Sequence, residues 1–141
     1  MGSGDRAAQV VSLHHHMSNQ ANIYVAIIDD DESVCRSMSR LLRAAGLHPI
    51  PFLSAEDFLV DPICDHFSCL LVDIQLGGMS GIELQQKLAS EGDHAPIIFI
   101  TAYDDPDARA QALTTGCAGF FRKTDPGAEI ISAVRSAVQK R

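Results

Sequence analysis

The sequence predicts an α/β fold of three layers, a doubly wound five-stranded parallel sheet with five helices distributed over its two faces. Three observations lead there. Short β-branched or apolar runs alternate with stretches whose apolar residues recur at helical spacing, five times over. The runs are nearly continuous in apolar residues, as strands buried on both faces must be. Four of the five end on a polar residue of a distinct kind, and a parallel sheet gathers all its strand ends on one edge.

The first run, Ile23 to Ile28, stops at Asp29-Asp30-Asp31. A helix follows with Val34, Met38, Leu41, Leu42 and Ala45 on one stripe, and Gly46 is expected as its C-cap. His48-Pro-Ile-Pro-Phe52 is a short second strand, and its two prolines put it at the sheet edge. Ser54 caps a helix that begins Ala55-Glu56-Asp57 and carries Phe58 and Leu59 until Asp61-Pro62 breaks it. Ser68 to Asp73 is the third strand, and a glycine-rich loop runs from it to Gly81. Ser80 opens a helix with Leu84 and Leu88 inward, and Glu91 to His94 is a turn. Pro96 to Ile100 is a fourth strand ending at Thr101. Asp105-Pro106 then pairs a cap with proline at the first helical position, and that helix runs through Ala112 and Leu113 to Gly116. Ala118 to Arg122 is the fifth strand, ending at Lys123. The last helix carries Ile130, Ile131, Val134, Ala137 and Val138 on one side.

The 141 residues suffice for one domain with a proper core and are too few for two. The formal charge of −7 argues against direct nucleic-acid binding by this domain, because phosphate backbones need a basic face. An anionic surface can still dock a basic face on a protein. No run approaches a membrane span, and the apolar run near the N-terminus is too short for a secretory signal. Cys35, Cys64, Cys69 and Cys117 form no CxxC pair, and the histidines offer no matching metal spacing, so reduced cysteines in a cytoplasmic protein are expected. Residues 1–20, with Gly-Ser-Gly and His14-His15-His16, read as a leader. It is either a cloning remnant with the native start at Met17 or a disordered segment, and the histidine triplet as a metal site is the weaker alternative. Residues 21–141 form the domain.

The polar strand ends are Asp29 and Asp30, Asp73, Thr101 and Lys123. Each alone has an ordinary reading as a helix cap or a solvated side chain. Together they are what a phosphoryl-transfer site requires. Three carboxylates within about 5 Å repel one another by roughly 3 kcal/mol per pair at an effective dielectric near 20, so a cation is expected among them. Oxygen ligands with an open face suit Mg²⁺, or Mn²⁺. Asp73 would accept the phosphoryl group, Lys123 would offer positive charge to one phosphoryl oxygen, and the Thr101 hydroxyl would donate to another. Ala102 is small enough to leave room.

Four motifs, Val25-Ala-Ile-Ile-Asp-Asp-Asp-Glu-Ser-Val34, Leu70-Leu-Val-Asp-Ile-Gln-Leu-Gly-Gly-Met-Ser-Gly81, Ile97-Ile-Phe-Ile-Thr-Ala102 and Gly119-Phe-Phe-Arg-Lys123, stand in this order. In that order and spacing the chain from about Asn22 to Lys140 resembles the receiver domains of two-component response regulators. The resemblance implies the strand order 2-1-3-4-5 and a sensor histidine kinase whose phosphohistidine is the donor to Asp73. It implies metal binding by Asp30 directly, by Asp29 mainly through water, by Asp73, and by the backbone carbonyl of Gln75. Thr101 and Lys123 would contact the phosphoryl group, and Thr101 with Phe120 would form the switch. The face of helix four, strand five and helix five would then change shape and could serve a homodimer. Phe120 as plain core packing is the competing reading. Gln75 and Tyr103 occupy positions that in the family tune how fast water removes the phosphoryl group, with Tyr103 either shielding the acyl phosphate or lying on the surface. Such a domain catalyses only its own phosphorylation and dephosphorylation, and it is cytoplasmic. The resemblance suggests a transcription-regulating output.

Two positions depart from the family pattern. Thr124 follows Lys123 where proline in a cis peptide is frequent. A cis bond there would cost about 2.5–4 kcal/mol, so a trans Lys123–Thr124 bond is expected, which allows Lys123 to shift. Gly77 replaces a proline, and two adjacent glycines should loosen the loop.

Other functions fit less well. Asp29 and Asp31 also match the DxD start of dehalogenase-like phosphatases, with Asp29 as nucleophile and Asp31 as acid/base. Those enzymes need an acidic pair after the lysine, for which Asp125 and Glu129 are badly spaced, and they leave Asp73 without a role. A receiver-like interaction module that works without phosphorylation is the second alternative. A flavodoxin-like flavin protein is weaker still, because the first loop is acidic where a phosphate cradle should be.

Overall fold

The Asp73 strand is the middle of the sheet. In the computed structural model, which describes residues 22–64, 66–103 and 105–139, the elements are β1 (Tyr24–Ile28), α1 (Glu32–Ala44), β2 (His48–Phe52), α2 (Ala55–Val60), β3 (Cys69–Asp73), α3 (Gly81–Ser90), β4 (Ile97–Thr101), α4 (Pro106–Thr114), β5 (Gly119–Arg122) and α5 (Gly127–Gln139). Among the described residues the sheet has five strands in the order β2-β1-β3-β4-β5, all parallel. The expected architecture and strand order are therefore present. The leader, with His14–His16 and Met17, lies outside the described residues.

Each face of the sheet has its own core, because successive side chains of a strand point to opposite sides. On one face Ala26, Ile28, Leu70, Val72, Ile97 and Phe99 meet buried residues of α2, α3 and α4, among them Phe58, Leu84, Leu88 and Ala112. On the other, Val25, Ile27, Leu71, Ile98 and Ile100 meet Met38 and Leu42 of α1 and Ile130, Val134 and Ala137 of α5. β2 sits at the edge, as its two prolines demand.

The caps explain why the helices begin at the strand edge. Asp31, Ser54, Ser80 and Asp105 each accept a backbone N–H of the first turn, and Ser80 forms a reciprocal capping box with Glu83. Several details differ slightly from expectation. Ala45, not Gly46, is the C-cap of α1, and Gly46 is the next residue, with φ +82°. Gly46 thus supplies the left-handed backbone just beyond the cap. Leu113 of α4 is exposed, so Ala112 alone anchors the middle of that helix. Ser68, Pro96 and Ala118 precede β3, β4 and β5 rather than opening them. The described residues contain no cis peptide bond, so Lys123–Thr124 is trans.

Candidate functional site

Parallel pairing brings the strand ends together. Asp73 is the last residue of β3 and stands in register with Ile100, while Thr101 at the end of β4 stands in register with Arg122. The ladder runs one step past β5, where the Lys123 N–H donates to the Thr101 carbonyl at 2.8 Å. Asp29 follows β1 directly, and its N–H donates to Phe52 O at 3.1 Å. Asp29, Asp73 and Lys123 are thus fixed by sheet hydrogen bonding although they lie far apart in sequence.

Asp29 and Asp73 are buried, at 3 % and 5 % exposure, whereas Asp30 faces solvent. One carboxylate oxygen from each lies within 4.8 Å of the others. Lys123 Nζ stands 2.9 Å from Asp29 Oδ2 and 3.2 Å from Asp73 Oδ2. Three carboxylates against one ammonium leave a formal −2 in a half-closed pocket. The other oxygens are held by the backbone two residues on: Asp73 Oδ1 accepts the Gln75 N–H at 3.0 Å, and Asp29 Oδ1 accepts the Asp31 N–H at 2.9 Å.

Burial pushes the Asp73 carboxyl above its usual range. The Gln75 N–H opposes that rise, the Asp29 charge adds to it, and Lys123 opposes it again. Burial draws the Lys123 ammonium downward, but its hydrogen bond to Asp29 and the Asp73 charge outweigh burial and leave it above its usual value. Cys35 lies beneath the site and donates its thiol to the Asp29 carbonyl at 3.3 Å. Burial and then the Asp29 charge push this thiol up to about 11, so it stays protonated and unreactive.

The acidic cluster fits a divalent ion on chemical grounds. Its donors are hard oxygens, two buried and one exposed, and the shared lysine leaves negative charge uncompensated. A small cation with water on its open side suits such a set.

Thr101 is nearly fully buried, and its hydroxyl is turned onto its own loop. It donates to the Tyr103 carbonyl at 2.9 Å and accepts the Tyr103 N–H at 3.2 Å. The Tyr103 side chain is 67 % exposed and stands at the rim. Phe120, paired with Phe99 across the ladder, is half-buried against the core on the α3–α4 side. The guanidinium of Arg109 on α4 lies 5.4 Å from the centre of its ring, close enough for a cation–π contact. Phe120 thus packs against the core, which is one of the two readings expected for it.

The loop after Asp73 is held at several points. The Gly81 N–H donates to Ile74 O at 3.2 Å, and a Cβ on Gly81 would stand 2.7 Å from Asp73 O. Only glycine allows α3 to start so close to the end of β3. The Ser80 N–H donates to Glu83, and the Met79 N–H donates to Glu56 Oε2 at 2.9 Å. Glu56, which the sequence places only in the first turn of a helix, thus also holds the loop after Asp73. One signal was available: α2 begins at the C-terminal end of β2, on the same edge of the sheet as the polar strand ends.

Comparisons with known proteins agree with this architecture. A family profile described as the response regulator receiver domain matches residues 25–135. The response regulator protein TodT of Pseudomonas putida is 36% identical over 124 residues, covering 88% of this chain and 54% of its own length. The transcriptional regulatory protein FixJ of Azorhizobium caulinodans is 34% identical over 114 residues, covering 81% and 54%. The chain thus spans about half the length of these relatives. Among solved structures, FixJ-N superposes with a TM-score of 0.78 at 28% identity, covering 86% of this chain and 98% of that one. Response regulator StyR superposes at 0.77 and 35% identity, covering 85% and 61%. With its sheet order, its acidic strand ends and a match over most of its length, the chain belongs to the receiver domain family of two-component response regulators.

Proposed function

We propose that this domain is a phosphoacceptor that takes a phosphoryl group on Asp73 from the phosphohistidine of a sensor histidine kinase. The observation that carries the proposal is the placement of Asp73: buried at the C-terminal end of the central strand, with one oxygen held by the Gln75 N–H and the other by Lys123. A carboxylate so fixed is oriented for attack without further reorganisation.

In the transfer a carboxylate oxygen of Asp73 attacks phosphorus, the new O–P bond forms, and the P–N bond to the donor imidazole breaks. That nitrogen keeps the electron pair, so the product is neutral histidine and an aspartyl phosphate. Lys123 touches the attacking carboxylate and would follow the charge onto a phosphoryl oxygen. Asp29, Asp30, Asp73 and the Gln75 carbonyl would hold Mg²⁺ or Mn²⁺. The bound ion would supply charge neutralisation to a site that is otherwise anionic. Release of the phosphoryl group proceeds by attack of water on phosphorus and return of the carboxylate. Gln75 and the exposed Tyr103 border that approach and would set its rate.

The switch follows from the Thr101 hydrogen bonds. To donate to a phosphoryl oxygen the hydroxyl must leave the Tyr103 carbonyl, which would release the β4–α4 loop and, with Phe120, form the switch. The α4–β5–α5 face would change with it and could form a homodimer or meet an output domain. The chain acts on no substrate other than its own phosphoryl group. Among the described residues no helix is long and apolar enough to cross a membrane. A cytoplasmic location goes with the reading as a kinase partner.

The test is mass spectrometry after incubation with a small phosphodonor and Mg²⁺. One added phosphoryl group is expected, lost on Asp73→Asn. No added mass, or mass that survives Asp73→Asn, overturns the reading and favours a module that works without phosphorylation.

A further inference from the structure

We propose that Glu56 is a positioning residue for the phosphoacceptor site, holding the far end of the loop that carries Gln75 by accepting the Met79 N–H. This inference rests on the reading of Asp73 as phosphoacceptor. Glu56 belongs to the first turn of α2, 23 residues from Met79, so the contact joins two separate crossovers of the sheet. Its Oε2 accepts the Met79 N–H at 2.9 Å. The loop is fitted closely to that carboxylate: a Cβ on Gly78 would lie 2.8 Å from the same oxygen, and Gly78 adopts φ +71°. The positive φ favours glycine at this position. The hydrogen bond to Met79 also lowers the pKa of the Glu56 carboxyl, so the group is a charged acceptor at neutral pH.

The loop needs such a tie because of its composition. Gly77 and Gly78 impose little conformational restriction of their own. At its near end the loop is tied by the Gln75 N–H to Asp73, and at its far end by Ser80 to its own helix. Between these anchors Glu56 is the side chain from another element that grips the backbone. Gly77 lies along the acidic cluster, with a Cβ there falling 4.0 Å from Asp30 Oδ2. Displacement of Gly78 and Met79 therefore reaches the wall of the site and the segment of Gln75. Glu56 touches no reacting atom. It acts through the backbone.

The test compares the full chain with Glu56→Ala and Glu56→Gln. Three quantities are read: Mg²⁺ affinity by calorimetry, hydrogen exchange at the Met79 amide, and the rate of phosphoryl uptake on Asp73 from a small donor. In Glu56→Ala, Met79 exchange should rise about tenfold with loss of one charge-assisted hydrogen bond. Mg²⁺ affinity and uptake should each fall about three- to tenfold, the lower end of what supporting residues contribute at metal sites. Glu56→Gln keeps an acceptor oxygen and should recover most of each loss. Unchanged Mg²⁺ affinity and uptake in Glu56→Ala, with the wild type taking up phosphate normally, overturns the role of Glu56 and leaves Asp73 as acceptor. Losses that Gln does not recover, matched by an equal fall in global stability, overturn it also. A wild-type protein that gains no phosphoryl group while Glu56→Ala still frees the Met79 amide overturns the phosphoacceptor reading instead.

Discussion

The Thr101 hydroxyl donates to the Tyr103 carbonyl at 2.9 Å, so the group expected to meet a phosphoryl oxygen is engaged with its own loop. Moving it exchanges one hydrogen bond for another, charge-assisted one, which costs little net energy and favours the phosphorylated arrangement. Thr101→Val removes the hydroxyl and with it both hydrogen bonds to the Tyr103 backbone. Phosphoryl uptake on Asp73 should persist, slowed about ten- to a hundredfold by the loss of one donor to developing charge. The accompanying change in the amide spectra of Ala102 and Tyr103 should vanish. A full spectral change in Thr101→Val would sink this link between threonine and loop.

Lys123 compensates two buried carboxylates at once, so its removal leaves both unpaired. Lys123→Met should cost about 2 kcal/mol in urea unfolding at neutral pH, less than for a fully buried pair because the lysine is partly exposed. The sign with pH follows from its raised pKa. The folded state binds this proton more tightly than the unfolded chain, so the stabilisation is complete below the usual lysine value of 10.5 and fades as pH rises through the folded value. The difference between wild type and variant should therefore hold from pH 7 to 9 and close above 10.5. A gap that instead widened at high pH would contradict the pairing.

Asp30 is the exposed member of the acidic cluster and adds to its repulsion. Asp30→Asn should raise the melting temperature in metal-free buffer. The same variant should bind Mg²⁺ at least about tenfold more weakly in a calorimetric titration. The two melting curves should approach or cross as Mg²⁺ is added, because the ion stabilises only the chain that binds it well. Equal Mg²⁺ affinity in both proteins would remove Asp30 from the ligand set.

Gly81 has backbone, not a flexible side chain, where a Cβ would go: Asp73 O at 2.7 Å and Ile74 Cα at 2.9 Å. Gly81→Ala must push α3 away from the end of β3, at a cost of about 2–3 kcal/mol by thermal or urea unfolding. Phosphoryl uptake per folded molecule should fall too, since Asp73 is the residue displaced. A fully stable Gly81→Ala protein would show that the junction yields more easily than its geometry implies.

Much of the candidate site was legible in the chain itself. β1, β3 and β4 are five-residue strands, the first followed by Asp29 and the others ending on Asp73 and Thr101, and parallel pairing leaves a single edge for those ends. Asp29, Asp73, Thr101 and Lys123 could therefore be named together from local pattern and one topological rule. Capping was equally local, as Ser54, Ser80 and Asp105 show, because a cap bonds within three residues of itself.

What spacing could not supply was side-chain direction and contacts between crossovers. The turning of Thr101 onto Tyr103, the sharing of one ammonium by Asp29 and Asp73, the Arg109–Phe120 contact and the grip of Glu56 on Met79 each depend on where a side chain ends in space. Such contacts join segments whose separation in sequence carries no periodic signal, and they form only after the sheet has fixed both backbones. Sequence alone set which residues reach the acidic edge, because strand length and polarity are properties of consecutive residues. Tertiary structure decided how those residues pair there, because hydrogen bonds and ion pairs act over about 3 Å and are settled by packing.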